Sequence, residues 1–211
     1  RIVGRAGVGV DNIDLGVATE YGIPVINAPE GNTVSAAELA MALILTVARN
    51  VSWADASVRS GAWARSQFSG IELRGRTLGL IGAGRIGRAV AAVAPAFGMR
   101  AVFAARPGGD VSGPETAAAV LPLDQLLLSS DVVSLHVPMR EDTRHLIDRR
   151  ALACMKRSAF LINTSRGPVV DEAALVWALE ERLIAGAGLD VYEREPHVHE
   201  ELLLRENVCL V

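Results

Sequence analysis

Cysteine is scarce in this sequence: its 211 residues hold two, Cys154 and Cys209, both in apolar surroundings. Two are too few for a disulfide framework or a thiolate metal site, so a reducing cytoplasm is the default expectation. Positive charge is not in surplus either, with 21 Lys and Arg against 24 Asp and Glu and a net charge of −3. That balance points away from nucleic acid and from anionic membranes. Long apolar runs are missing: Leu39 to Leu45 and Ala89 to Ala94 are far too short to span a bilayer. No signal-peptide pattern opens the chain, and its first residue is Arg1 rather than Met. The expectation is a piece cut from something longer. What is present is a 50% hydrophobic composition, ample for a core. The length suggests one full domain and part of another.

Short β-branched runs alternate with helical patterns. Ile2-Val3, Ile23–Asn27, Thr77–Ile81, Ala101–Phe103, Val132–His136, Phe160–Asn163, Ala187–Val191 and Val208–Val211 read as buried strands. Asn12–Tyr21, Arg85–Phe97, Leu123–Leu128, Arg149–Met155 and Glu172–Glu181 read as helices. Such alternation implies βαβ crossovers, a mostly parallel sheet covered on both faces, and the α/β class. One stretch breaks the rhythm. Ser35-Ala36-Ala37-Glu38 has capping-box spacing, Ala40, Leu43, Ile44, Val47 and Val51 continue an apolar face, and a further helical piece reaches about Ser60. Two helices thus stand between two sheets. The expected division is 1–30 as part of one domain, 31–74 as interdomain helices and 75–211 as a second domain.

Gly82-Ala83-Gly84-Arg85-Ile86-Gly87 is a G-x-G-x-x-G set between the strand Thr77–Ile81 and an amphipathic helix. In that context Gly82 permits a tight turn, Gly84 admits a pyrophosphate and Gly87 lets helix and strand pack closely. Amides at the helix N-terminus meet the phosphate charge. A doubly wound, Rossmann-type dinucleotide-binding sheet follows. The next strand should end in an acidic residue for the ribose hydroxyls. Here Ala101–Ala105 ends without one and Arg106 follows. A guanidinium pairs with a 2′-phosphate that a carboxylate repels, so NADP is preferred over NAD. The alternative is a solvent-facing Arg106 with NAD bound through weaker ribose contacts.

Several motifs occur in order: Gly4-Arg5-Ala6-Gly7-Val8-Gly9-Val10-Asp11-Asn12-Ile13-Asp14, Asn27-Ala28-Pro29, Gly31–Glu38, Leu135-His136-Val137-Pro138, Asn163-Thr164-Ser165-Arg166-Gly167 and Gly188–Pro196. Together they resemble the D-isomer-specific 2-hydroxyacid dehydrogenases, closest to the D-3-phosphoglycerate dehydrogenase branch, over essentially the whole chain. The resemblance implies a flavodoxin-like substrate domain, represented here by its end. It also implies hydride exchange between a nicotinamide and C2 of a 2-hydroxy or 2-keto acid, and a homodimer joined around residues 33–60, with Trp53 and Trp63 compatible with that interface.

On the same resemblance Arg166 holds the substrate carboxylate and polarises the carbonyl, whereas without it a strand-end arginine pairing with Asp171 is the favoured reading. Glu195 orients a proton-transferring histidine and raises its pKa. Asp190 lies near the nicotinamide amide. Arg85 and Ile86 lie at the pyrophosphate, and Val137, Pro138, Thr164, Ser165 and Arg166 border the cofactor. Gly7, Val8 and Gly9 match a loop whose amides receive the substrate carboxylate, glycines flanking one small residue to form an anion nest. Arg5 could meet a phosphate or second carboxylate. The histidine itself is missing. Aligning Asn207-Val208 with the family's pattern places it two residues past Val211, itself a departure from the expected threonine. None of His136, His145, His197 or His199 fits, and the His197-x-His199 pair lacks an evident third metal ligand. The piece is expected to bind dinucleotide without turning over.

The expected function is therefore an NAD(P)-dependent oxidoreductase, with phosphoglycerate oxidation as the first substrate reading. Arg106 favours the family's NADP-using glyoxylate and hydroxypyruvate reductases instead. A dinucleotide-sensing corepressor-like module is the reading from another class, because the family includes such proteins on the same fold.

Overall fold

A computed structural model describes residues 1–105 and 118–211. The chain opens with β1 (Val3–Arg5), α1 (Leu15–Glu20) and β2 (Val25–Asn27), and the two strands pair in parallel. The expectation of buried strands does not hold here: β1 is exposed throughout, and Ile26 is exposed as well. With two strands and one short helix there is little apolar surface to pack on the sheet. The helix is shorter than its pattern because Asp14 caps it, its Oδ1 accepting from the Val17 N–H at 2.9 Å.

Next come α2 (Thr33–Arg49) and α3 (Val51–Arg59), joined at Asn50 in a left-handed conformation. The expected capping box is absent. The helix starts two residues before Ser35, and the Ser35 hydroxyl donates back to the Asn32 carbonyl at 3.2 Å. The segment expected to connect two units is also part of a core. Ala40, Leu43, Ile44 and Val47 of α2 are buried against the main sheet. No single helix is long and apolar enough to cross a membrane.

The remaining strands are β3 (Thr77–Ile81), β4 (Arg100–Ala104), β5 (Ala119–Leu121), β6 (Val132–Leu135), β7 (Phe160–Asn163), β8 (Gly186–Leu189) and β9 (Val208–Leu210). They form one sheet in the order β5-β4-β3-β6-β7-β8-β9, every pair parallel. The helices are α4 (Arg85–Val93), α5 (Leu123–Ser129), α6 (Arg149–Cys154), α7 (Glu172–Glu180) and α8 (Glu200–Leu203). Period-2 alternation sends Leu78, Leu80 and Ile162 toward α2 and α4, and Ile81, Val133, Leu135 and Leu161 toward α5, α6 and α7. Helix α4 turns into a 3₁₀ segment, Ala94–Phe97, where Pro95 removes a helical N–H. The sequence reading missed β5, a three-residue strand at the sheet edge.

Candidate active site

The strand order reverses between β3 and β6, the place where parallel α/β sheets bind ligands beyond the strands' carboxyl ends. Gly82 leaves β3 at φ 116°, and a Cβ there would press on the His136 carbonyl just past β6. A Cβ on Gly87 would meet the Gly82 carbonyl oxygen, so α4 packs directly on the turn. Gly84 differs: nothing lies within 4 Å of where its Cβ would be. It occupies the N-cap of α4 with no side-chain cap, leaving the first-turn amides free toward that open space. Arg85 reaches back from the same turn, its Nη1 donating to the Pro29 carbonyl at 3.4 Å, while Ile86 packs partly into the core.

Beyond β6, His136 Nε2 and the Ser134 hydroxyl share a hydrogen bond of 3.0 Å, and His136 Nδ1 is buried without a partner among the described residues. Burial pushes the imidazole down to about 4. Val137 packs partly into the core, and the carbonyl of exposed Pro138 accepts from the Thr143 hydroxyl at 2.8 Å.

Beyond β7, buried Asn163 organises a turn. Its Oδ1 accepts from Ser165 N at 3.0 Å and Ser165 Oγ at 2.8 Å, and its Nδ2 donates to the Arg166 carbonyl at 3.0 Å. Thr164 Oγ1 is buried with no partner among the described residues. Arg166 does not pair with Asp171, which instead caps α7 by accepting from Ala174 N. The partner of Arg166 is Asp11, whose Oδ2 accepts from Nε at 2.7 Å and lies 2.6 Å from Nη2; Nη1 donates to the Ser165 carbonyl at 2.6 Å.

The Gly7-Val8-Gly9 loop lies against that guanidinium, since a Cβ on Gly9 would meet Arg166 Nη2. The loop is shaped from within. Gly7 N donates to the Arg5 carbonyl, Arg5 Nε donates to the Gly9 carbonyl at 3.1 Å, and Asn27 Nδ2 donates to the Val8 carbonyl at 2.9 Å. The Gly7 amide is thus engaged in the turn, whereas neither Val8 nor Gly9 N–H donates to a backbone carbonyl among the described residues.

Beyond β8 the chain runs from Asp190 to Glu195, and a Cβ on Gly167 would strike the Tyr192 carbonyl, so this loop touches the Arg166 turn. Glu195 is exposed, and its Oε1 accepts from Tyr192 N at 3.1 Å. Burial, aided by the Glu195 charge, raises the Asp190 carboxyl. Glu193 fixes the loop: its Oε1 lies 2.8 Å from His145 Nε2, and its N–H donates to Glu172 Oε1 at 2.7 Å. His199 caps α8 by accepting from Glu201 N at Nδ1. Among the described residues no group of three metal-binding side chains forms. Arg106 lies outside the described residues.

Arg166, the glycine loop, Glu195, Asp190 and the glycine turn therefore all lie in loops beyond strand carboxyl ends. Asp11, Asn163, Glu193 and His136 carry weight the sequence reading did not give them. For Asn163 a signal existed, an Asn ending a strand two residues before Ser, as an Asx turn requires. For Asp11, 155 residues from its partner, there was none.

A seven-stranded parallel sheet with a glycine turn at its reversal point defines a Rossmann-type dinucleotide-binding domain. The chain belongs to the D-isomer specific 2-hydroxyacid dehydrogenases, whose NAD-binding domain model matches residues 41–211. It is 47% identical to a glyoxylate reductase of Thermococcus litoralis, across all of this chain and 66% of that protein. To a D-3-phosphoglycerate dehydrogenase of Methanocaldococcus jannaschii it is 46% identical, across 99% of this chain and 40% of the other. A crystal structure of an NADPH-dependent glyoxylate/hydroxypyruvate reductase from Sinorhizobium meliloti, in complex with NADP and malonate, matches with a TM-score of 0.90 at 38% identity, over all of this chain and 66% of that one. The chain thus spans two thirds or less of the length of these relatives.

Proposed function

We propose that this chain forms the dinucleotide-binding part, and one wall of the substrate site, of an NAD(P)-dependent enzyme that interconverts D-2-hydroxy acids and 2-keto acids. One observation carries the reading: the Arg166 guanidinium stands where the amino-terminal glycine loop meets the carboxyl edge of the sheet. The residues present fit the dinucleotide. Gly84 leaves open space at an uncapped helix start, and Thr164 Oγ1 is an unpartnered buried hydroxyl beside Arg166. Gly84, Arg85, Ile86, Gly87, Val137, Pro138, Thr164, Ser165 and Asp190 would hold it. Once bound, it supplies the two-electron redox partner of the reaction.

The chain's own groups do the rest. Arg166 binds the substrate carboxylate and polarises the adjacent carbonyl, which needs positive charge as it becomes an alkoxide. Arg5 and the Val8 and Gly9 amides complete the anion site. Glu195 serves to orient and charge a histidine. Among the described residues no histidine bonds it, because His136 shares a hydrogen bond with Ser134 and His145 with Glu193. The 211-residue chain should therefore bind NADH or NADPH and show no reductase activity. Turnover of glyoxylate, hydroxypyruvate or phosphohydroxypyruvate by the purified chain would overturn that reading.

Phosphoglycerate dehydrogenation is the substrate reading favoured by the motif text. A specific feature favours NADP-linked glyoxylate or hydroxypyruvate reduction instead: in the sequence Arg106 follows Ala101–Ala105, where an acidic residue suits NAD. The near-equal identities to the two kinds of relative support both. Comparing the dissociation constants of NADH and NADPH tests the cofactor half, with NADPH expected to bind more tightly. The reading also includes a cytoplasmic location and a dimer joined through α2 and α3, where Val51 and Val58 are exposed, as is Trp63 four residues beyond α3. Light scattering in solution tests the dimer.

A further inference from the structure

Asp11 has no part in the reading above, yet it is the group that grips Arg166. The guanidinium turns one edge to it, Nε donating to Asp11 Oδ2 at 2.7 Å while Nη2 lies 2.6 Å from the same oxygen. On the opposite flank Nη1 donates to the Ser165 carbonyl at 2.6 Å. A guanidinium carries five N–H groups in a fixed plane. The Nε edge faces Asp11 and one Nη1 N–H is taken by Ser165, which leaves N–H groups on Nη1 and Nη2 for a ligand. Nη2 is the atom a Cβ on Gly9 would meet, so the free pair lies beside the glycine loop. Two parallel N–H groups match the two oxygens of a planar carboxylate.

The ion pair is a poor candidate for a stabilising element. Its side chains are 38% and 48% exposed, and ion pairs this open add little to stability. An arginine without such an anchor would sample many rotamers and lose that freedom on binding. Asp11 also belongs to the loop between β1 and α1, whereas Arg166 follows β7, so the pair ties the amino-terminal strands to the main sheet. We propose that Asp11 is a positioning residue: it fixes the plane and direction of the Arg166 guanidinium so that its tip, rather than its side, meets the substrate carboxylate. This rests on the proposed carboxylate-binding role of Arg166.

The probe is oxalate, a planar analogue of a 2-keto acid, titrated calorimetrically into the 211-residue chain in the presence of NADH or NADPH. Arg166→Gln should abolish oxalate binding. Asp11→Asn keeps the shape but removes the charge, and should weaken oxalate about tenfold, because hydrogen bonds to an ionised acceptor are roughly twice as strong as neutral ones. Its dinucleotide affinity and melting temperature should not change. Asp11→Glu, which restores the charge, should recover most of the loss. Oxalate binding by Asp11→Asn that equals or exceeds the parent's, while Arg166→Gln has lost it, overturns the assignment of Asp11 alone. Unchanged binding by Arg166→Gln overturns the carboxylate role of Arg166, and the role of Asp11 with it.

Discussion

Gly84 and Gly87 stand three residues apart on one turn and answer to different constraints. Gly87 is fixed by packing, since any Cβ would press into the Gly82 carbonyl, a backbone atom that cannot swing aside. Gly84 has an ordinary φ of −74° and empty space around it, so folding does not require glycine there. Gly87→Ala should therefore lower stability by about 1–3 kcal/mol, the usual range for overpacking. Gly84→Ala should cost about 1 kcal/mol or less, as alanine is a somewhat poorer N-cap. Yet the methyl group would stand where a pyrophosphate must approach, so dinucleotide affinity should fall at least about tenfold. Urea melts paired with a dinucleotide titration check both. A stability loss in Gly84→Ala as large as that of Gly87→Ala, or retained affinity, would contradict the assignment of that space to phosphate.

Elements with one dominant signal were legible in the sequence. Strand β3 and strand β7 begin and end where their apolar runs do, because both are buried on both faces. Helix boundaries shifted where a cap or a proline intervened, as at Asp14 and Pro95. Strand β5 carried too short a pattern to register, and α2 looked like a connector because chain order hides that it packs on β7 and β8. The site was legible wherever it follows a strand, and opaque wherever it depends on distant pairing. The Glu193 clamp is such a case. Glu193 N donates to Glu172 Oε1, Glu172 N donates to Glu193 Oε2 at 3.4 Å, and His145 and Arg144 meet the same Glu193 carboxylate. This ties the loop bearing Glu195 to the start of α7. Glu193→Ala removes the carboxylate that accepts from the Glu172 N–H and meets His145 and Arg144, leaving the Glu172 N–H short of a partner and costing about 1–3 kcal/mol. Hydrogen exchange should quicken most over residues 190–196, and a uniform change across the sheet would show that the clamp is not local.

At the scale of the whole molecule, stability against pH is set by groups acting in opposite senses. Burial holds Glu172 and Asp190 above the usual carboxylate range, with the charges of Glu193 and Glu195 respectively adding to it. The fold favours their protonated forms, so their contribution is present in acid and lost as pH rises through the raised values. Asp131 acts the other way. Burial alone would raise it, but the Thr77 N–H and the charges of Lys156 and Arg76 outweigh that, and its contribution is lost as pH falls. His136 carries the largest shift, its imidazole pushed by burial from 6.5 to about 4. Between those two values the unfolded chain binds a proton that the folded one refuses, so stability rises with pH across that window and levels off above it. A shift of this size corresponds to roughly 3 kcal/mol at most. Glu172 and Asp190 take back part of that, being more weakly shifted. The expectation is a denaturant midpoint that climbs from pH 4 to pH 6.5 in the parent chain. In His136→Gln, which keeps a polar group beside Ser134 without a titrating one, the climb should largely vanish, leaving the shallower slope of Asp131 against Glu172 and Asp190. An undiminished slope in that variant would mean that the buried imidazole is not the group the fold protects from protons.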